Sequence, residues 1–194
     1  MLQNLESGIR ILNQDLWECI ISFIISANNN IPRIKKIIEK LSYCYGNRIE
    51  WNGKNYYTFP NPEALSEVTV KEFRSLGLGF RDIRVFQTIH KILTREFDIE
   101  NFQKIKDTKE MRNKLLELNG VGPKVADCIL LFSMKRLDVF PIDVWIRRVM
   151  NEFYIHNENE ERVSKQEIEI VAKEKFCGME GLAQQYLFYY RRSS

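Results

Sequence analysis

A short glycine turn, Asn119-Gly120-Val121-Gly122, separates two segments in which apolar residues recur at helical spacing. Glycine adopts positive φ without steric cost, and its missing side chain lets other atoms approach the backbone closely. Pro123 follows at once, and proline suits the first position of a helix because the N–H that it lacks would have had no partner there. The sequence therefore predicts two helices joined by a tight hairpin.

This hairpin is a candidate binding site for a phosphate group. The helix that begins at Pro123 presents free N–H groups and the positive end of its dipole, and both attract anions. Two helices joined in this way form a helix-hairpin-helix, a module that contacts the DNA backbone without reading bases. Taken alone, the glycine turn fits an ordinary helical hairpin equally well.

Two charged residues near the hairpin form a candidate catalytic pair. Lys124 lies one residue into the second helix, where the helix dipole disfavours an ammonium group and favours the nucleophilic neutral amine. Asp143 follows Pro141 and Ile142 and is predicted to cap a helix that starts at Val144. The intervening segment can hold one helix and a short return, which would bring both side chains to one cleft. Considered separately, an exposed lysine and a structural cap are the simpler interpretations.

The remaining sequence predicts an all-α protein with roughly eight to ten helices. Asp15 precedes a segment that is apolar on nearly all sides, so a buried helix is expected there, ending at the asparagines 28–30. Further helices are predicted at 32–45, 62–67, 70–76, 81–97, 107–118, 144–153, 164–176 and 179–191. Asn52-Gly53 marks a small hairpin, the one candidate for β-structure.

The composition limits the classes of function. Hydrophobic residues make up 44% and charged residues 28% of the chain, as in globular proteins. The formal net charge is only +3, so a surface that binds nucleic acid must be a local patch. No C-x-x-C pair occurs among the four cysteines, which argues against zinc, an iron–sulfur cluster or a disulfide framework and fits a reducing compartment. The longest apolar run, Cys19 to Ala27, is far shorter than the ~20 residues of a membrane span.

The segment GVGPKVADC, followed downstream by PIDV, resembles the 8-oxoguanine DNA glycosylase family of helix-hairpin-helix glycosylases. The resemblance extends from about Gly8 to Arg191. It implies two helical subdomains around a cleft, with at most one small hairpin of strands. One subdomain would comprise mainly residues 15–106, the helix-hairpin-helix about 107–134, and the remaining helices 143–192 of a glycosylase domain spanning 1–194.

The resemblance also implies roles for individual residues in the chemistry. Lys124 would attack C1′ of the damaged nucleotide with assistance from Asp143. Gln184 would read the Watson–Crick edge of the flipped base, a role that suits a carboxamide because it both donates and accepts hydrogen bonds. Phe188 would stack on one face of that base, and Cys128 would cover the other. Without the family, Phe188 and Cys128 are more simply explained as core residues.

Further residues would contact the DNA around the flipped nucleotide. Asn28 would fill space beside the orphaned opposite base, which Arg33 would contact. Phe80 would be a wedge that replaces the lost stacking, and Arg81 a second reader. Without the family, Phe80 is equally well a hydrophobic staple at the start of a helix. The turn 119–122 would bind phosphate; the chemistry needs no metal, although the hairpin carbonyls offer a site for a monovalent cation.

The function so implied is removal of 8-oxoguanine from duplex DNA through a lysine Schiff base, with strand cleavage by β-elimination. No cofactor and no membrane are expected. The partner would be double-stranded DNA containing an oxidised purine, bound by a monomer inside the cell, in a prokaryotic cytoplasm or nucleoid or in a eukaryotic nucleus. Two alternatives stay open: a non-catalytic helix-hairpin-helix DNA-binding module, and a monofunctional glycosylase for alkylated bases that attacks with water.

The sequence departs from the family pattern at three places. Trp145 stands where histidine is common, and Arg191 near where an acidic residue is usual. The N-terminal β domain usual in the family is expected to be absent, in either a truncated or a naturally short form. A chain of this kind is expected to show weak activity and poor selectivity by itself.

Overall fold

The computed structural model describes residues 8–193, so residues 1–7 and 194 of the predicted domain lie outside the described residues. The described part is helical apart from one two-stranded sheet, which confirms the all-α prediction. Its α-helices are α1 (Leu16–Ser26), α2 (Ile31–Tyr45), α3 (Val70–Ser75), α4 (Asp82–Leu93), α5 (Ile99–Lys104), α6 (Thr108–Leu116), α7 (Pro123–Ser133), α8 (Val144–Met150), α9 (Lys165–Phe176) and α10 (Glu180–Ser193). No described helix has the length and apolar character needed to cross a membrane.

The sheet is the predicted hairpin. Strand β1 (Arg48–Trp51) pairs antiparallel with β2 (Lys54–Tyr57) across a loop of two residues. Asn52 and Gly53 both have positive φ, 51° and 69°, the conformation that a two-residue turn of this hand requires.

Side-chain caps fix where most helices begin. Asp15 accepts a hydrogen bond from the Glu18 N–H at 2.9 Å at the start of α1, and Asn30 accepts one from Arg33 at 3.0 Å at the start of α2. Each cap satisfies an N–H that has no partner within its helix. Helix α5 follows the same rule with Asp98 as its cap, but the sequence reasoning did not identify it.

Two predicted helices have different bounds in the structure. The helix predicted from Arg81 to Phe97 begins one residue later and ends at Leu93, because Arg95 adopts a positive φ of 61° that a continuing α-helix excludes. The helix predicted at 144–153 is α8, followed by a π-helical turn over Asn151–Ile155 that ends at the left-handed His156.

Buried apolar side chains form two clusters. The first surrounds α1, whose fully buried isoleucines contact α7, α2 and α4, and it extends along the chain to Val139. The second begins at Phe140 and unites α8, α9 and α10. The chain passes from one cluster to the other just before Asp143. The predicted subdomain bounds stay a prediction.

Candidate active site

The glycine hairpin is held in a close-packed position. Gly120 has a φ of +91°, and a Cβ built on it would lie 2.9 Å from Cδ of Arg84 and 3.2 Å from Cγ2 of Ile24. Glycine is therefore required there for both its conformation and its size. Gly122 does not need positive φ, contrary to the expectation, since its φ is −98°. It precedes Pro123, the first residue of α7, and has open space around it.

Side chains of helix α4 hold this hairpin by donating hydrogen bonds to its main-chain carbonyls. The hydroxyl of Thr88 donates to the Asn119 carbonyl at 3.2 Å, and Nζ of Lys91 donates to the Glu117 carbonyl at 2.6 Å. Thr88 is fully buried. Because the loop just before α4 carries Phe80, α4 supports both the hairpin and the predicted wedge. The expectation of a monovalent cation at hairpin carbonyls stays a prediction.

Lys124, Cys128 and Asp143 come together at the start of α7. Asp143 caps α8, as predicted, and accepts the Ile146 N–H at 2.8 Å. Cys128 lies one turn after Lys124, and burial raises the pKa of its thiol to about 11. The charge and hydrogen bond of Lys124 act in the opposite direction, while the charge of Asp143 raises this pKa further. Both predicted catalytic groups therefore face the same thiol.

The Lys124 side chain is half-buried and has an aromatic neighbour on its other side. Its Nζ lies 5.8 Å from the ring centroid of Phe23 in α1, and this ring stacks on Phe132. Lys124 is therefore neither fully buried nor fully exposed.

Gln184 holds the segment that leads to Asp143. It is 4% exposed, donates from Nε2 to the Pro141 carbonyl at 3.2 Å and accepts at Oε1 from Gln185 at 2.6 Å. A carboxamide has a second N–H and a second lone pair, so these bonds leave one donor and one acceptor for a base. Phe188 lies one turn later in α10, partly buried against the second apolar cluster. The roles of both residues in base recognition stay predictions.

Phe80 is exposed beside two arginines, and its role as a wedge stays a prediction. It is 54% exposed, which does not fit the alternative of a hydrophobic staple, and its ring lies 4.3 Å from Cζ of Arg81 and 5.1 Å from Cζ of Arg84. Asn28, at a positive φ of 50°, ends the α1 segment nearby. Arg33 donates to the Gly77 carbonyl at 2.9 Å from an exposed position.

The structure shows three partners of Arg81 within the protein. Its guanidinium is only 2% exposed and donates to three carbonyls, those of Ala27 at 2.7 Å, Asn28 at 2.5 Å and Leu78 at 3.2 Å. The carbonyls at the end of α1 have no helical partners, and a cation is favoured at that end of the dipole. Arg81 therefore holds the turn at the asparagines 28–30 against the loop that carries Phe80, and its role as a reader of the opposite base stays a prediction.

An ion network joins the hairpin helices to α9. Arg112 of α6 bonds Asp127 of α7 at 2.7 Å and approaches Glu169 of α9 at 3.4 Å. Burial raises the pKa of Asp127 to about 6, and it prevails over the opposing effect of Arg112. No feature of the sequence pointed to this network, because its members are far apart along the chain.

Comparison with known proteins places this architecture in a family. The sequence profile of the HhH-GPD superfamily of base excision DNA repair proteins matches residues 21–173. The chain belongs to this superfamily. The resemblance drawn from GVGPKVADC and PIDV is thereby confirmed.

Two relatives of this HhH-GPD protein are named as N-glycosylase/DNA lyases. The "Probable N-glycosylase/DNA lyase" of Methanothermobacter thermautotrophicus is 35% identical over 96% of this chain and 64% of its own. The N-glycosylase/DNA lyase of Saccharomyces cerevisiae is 36% identical over 76% of this chain and 42% of its own. The chain thus spans less than two thirds of the length of these relatives.

A solved structure agrees with this grouping. The 8-oxoguanine glycosylase/lyase of Clostridium acetobutylicum, in complex with double-stranded DNA containing cytosine opposite 8-oxoguanine, superimposes with a TM-score of 0.89. The two sequences are 43% identical, and the match covers 96% of this chain and 62% of the Clostridium chain.

Sequence reasoning missed three residues that position the site of this HhH-GPD protein: Arg84, Thr88 and Lys91. They recur at helical spacing on α4, and each contacts the hairpin. That spacing was available in the sequence, but nothing in it identified the hairpin as the surface that these side chains meet.

Proposed function

We propose that the chain excises 8-oxoguanine from duplex DNA and cuts the abasic strand, as a bifunctional glycosylase and lyase. The observation that carries this proposal is the convergence of Lys124 and Asp143 on Cys128 at the open end of the glycine hairpin. Names of relatives that include N-glycosylase/DNA lyase support it. Such a substrate implies action inside the cell, in a nucleoid or a nucleus.

The chemistry requires an amine nucleophile and a nearby negative charge. Nζ of Lys124, in its neutral form, bonds to C1′ while the bond from C1′ to the base breaks, and the base leaves with the electron pair and takes up a proton. Opening of the sugar ring gives a Schiff base on Lys124. Loss of a proton from C2′ then expels the 3′ phosphate. The carboxylate of Asp143 stabilises the positive charge that develops on the sugar.

The surrounding residues would hold the DNA in place for this chemistry. The N–H groups at the start of α7 and the turn 119–122 would bind a phosphate, with a monovalent cation at the hairpin carbonyls as an additional contact. Phe80 would enter the base stack, with Asn28 and Arg33 beside the opposite base. Gln184, Phe188 and Cys128 would enclose the flipped base. We propose that one protein monomer acts on each lesion.

Borohydride trapping on a duplex with 8-oxoguanine opposite cytosine tests the proposal. Reduction of a lysine Schiff base gives a covalent complex that migrates as one band with the protein and DNA. We expect the native chain to form this complex and Lys124→Gln to lose it together with base release, while DNA affinity changes little. Lys109→Gln removes an exposed lysine from α6 and is the matched control.

Three results would contradict the proposal. Trapping that persists in Lys124→Gln would place the nucleophile elsewhere. Base release without trapping in the native chain would indicate attack by water, as expected of a monofunctional glycosylase, and binding without release would indicate a non-catalytic module.

A further inference from the structure

Three arginines converge on the loop that carries Phe80. Arg33 donates to Gly77 at the start of the loop, while Arg81 and Arg84 both lie against the Phe80 ring. After burial, the charges of Arg33 and Arg84 are the causes that lower the pKa of Arg81, so the three cations lie close enough to repel one another. A cluster of this kind needs negative charge from a partner.

Carboxylates of the loop itself do not supply that charge. Asp82 directly follows Arg81, but its side chain is fully buried and accepts from Nε of Arg74 at 2.6 Å and from the Ile83 N–H at 2.6 Å. The charge of Asp82 is thus paired with Arg74, which is not one of the three clustered arginines. The loop therefore presents net positive charge beside the exposed Phe80.

Arg84 is the member of the cluster with free donors. The guanidinium of Arg81 donates hydrogen bonds to three carbonyls, and one nitrogen of Arg33 donates to the Gly77 carbonyl. Among the residues that the structure describes, Arg84 forms no hydrogen bond or ion pair, and its guanidinium lies over the Phe80 ring. All five of its N–H donors are available for a ligand.

The position of Arg84 links the two DNA-contacting elements. Its aliphatic stem covers Gly120 so closely that a Cβ on that glycine would lie 2.9 Å from Cδ and 3.1 Å from Cβ of Arg84. The stem is thus fixed at the hairpin, and the guanidinium is directed to the wedge. If the hairpin holds one phosphate and Phe80 enters the stack, the DNA backbone between them passes over this guanidinium.

We propose that Arg84 binds a backbone phosphate of the DNA between the hairpin and the wedge. This inference rests on the proposed function, because it takes duplex DNA as the partner. A guanidinium matches a phosphate with two parallel hydrogen bonds, and such charge-assisted bonds are stronger than neutral ones. The packed stem keeps Arg84 beside the backbone, so reading of the opposite base falls to Arg33.

The salt dependence of binding separates a phosphate contact from a base contact. The ligand is a duplex with a tetrahydrofuran abasic analogue, which the protein binds without β-elimination because the analogue has no C1′ aldehyde. Affinity is measured by fluorescence anisotropy over a series of KCl concentrations, with cytosine or adenine opposite the analogue. The variants are Arg84→Gln, Arg84→Lys and, as a control, Arg162→Gln at an exposed arginine beside the second apolar cluster.

We expect Arg84→Gln to weaken binding roughly 10-fold at low salt and to reduce the slope of log affinity against log salt by about 1, the contribution of one phosphate. The ratio of affinities for the two opposite bases should stay the same. Arg84→Lys should retain the slope, because it keeps the charge, and Arg162→Gln should match the native chain. Thermal melting verifies that each variant is folded.

An unchanged slope in folded Arg84→Gln would overturn the inference, and so would an altered ratio between the opposite bases, which would identify Arg84 as a base reader. These results are distinct from failure of the proposed function. The proposed function fails if the native chain neither releases 8-oxoguanine nor forms the borohydride-trapped complex, a result that does not depend on Arg84 or on the salt dependence of binding.

Discussion

Asp143 has two functions that a single substitution separates. It caps α8 through its bond to Ile146, and its charge is the proposed stabiliser of the transition state. Asparagine caps a helix about as well as aspartate. We therefore expect Asp143→Asn to retain thermal stability but to slow single-turnover base release by roughly 10²-fold or more, the order seen when one stabilising group is lost.

The control for Asp143→Asn is the equivalent change at another cap. Asp107 accepts the Glu110 N–H at 2.7 Å at the start of α6. Asp107→Asn should have the same small effect on melting and none on base release. If Asp143→Asn lowers the melting temperature while the single-turnover rate stays native, Asp143 is only a cap.

Two arginines show that the residue type alone does not determine the role of a side chain. Arg33 and Arg81 were assigned to the opposite base on equal grounds, but only Arg33 is exposed. Arg81 is buried because carbonyls at the end of α1 lack helical partners and accept hydrogen bonds from it. The contact of α1 with the loop that carries Phe80 determines which carbonyls these are. Lys124 and Asp143 were easier to place, because a helix start and a cap are local features of the sequence.

Among the elements, α4 has the most direct effect on the site. Thr88→Val keeps the shape of the buried side chain but removes the bond to the Asn119 carbonyl. We expect a loss of about 1–2 kcal/mol in the free energy of unfolding, measured in urea, because a partly buried acceptor loses its donor. DNA affinity should fall as well, since the hairpin becomes less restrained.

Thr94→Val is the matched control at the C-terminal cap of the same helix. Thr94 is exposed, and its hydroxyl bonds the His90 carbonyl within α4. It should leave DNA affinity native. Equal effects of the two substitutions on DNA affinity would contradict the view that α4 holds the hairpin.

The sequence predicted elements well where their ends are encoded locally. Asp15 and Asn30 mark the starts of α1 and α2, and Asn52-Gly53 marks the turn of the sheet. The end of α4 was not predicted, because Arg95 is not a residue type that favours the positive φ it adopts. The packing of the surrounding helices sets that conformation.

For the whole molecule, the network of Arg112, Asp127 and Glu169 makes stability depend on pH. Burial raises the pKa of Asp127 from its ordinary 3.8 to about 6, so the folded state binds this proton more tightly than the unfolded state. The stabilisation is complete below about pH 4 and is lost as pH rises to about 6. Relative to Asp127→Asn, the native chain should lose on the order of 2–3 kcal/mol across that interval.

Urea unfolding between pH 4 and pH 7.5 provides the measurement. The difference in free energy of unfolding between Asp127→Asn and the native chain should grow with pH up to about 6 and then level off. Asp138→Asn changes an exposed carboxylate near the same ion network and should show no such trend. A constant difference for Asp127→Asn would mean that the ion pair with Arg112 cancels the effect of burial on this pKa, and a difference that falls as pH rises would mean that the ion pair dominates.

The bonds from α4 to the hairpin have a consequence for how this protein can vary. Thr88 and Lys91 donate to the main-chain oxygens of residues 119 and 117, not to their side chains. Positions 117 and 119 can therefore hold any residue that keeps the conformation of the turn, because its side chain does not take part in these bonds. The side chains that face a phosphate can therefore be exchanged by mutation or by design while the distance from hairpin to wedge is preserved. Under the proposed function, affinity for DNA and the geometry of base extrusion would therefore be separately adjustable.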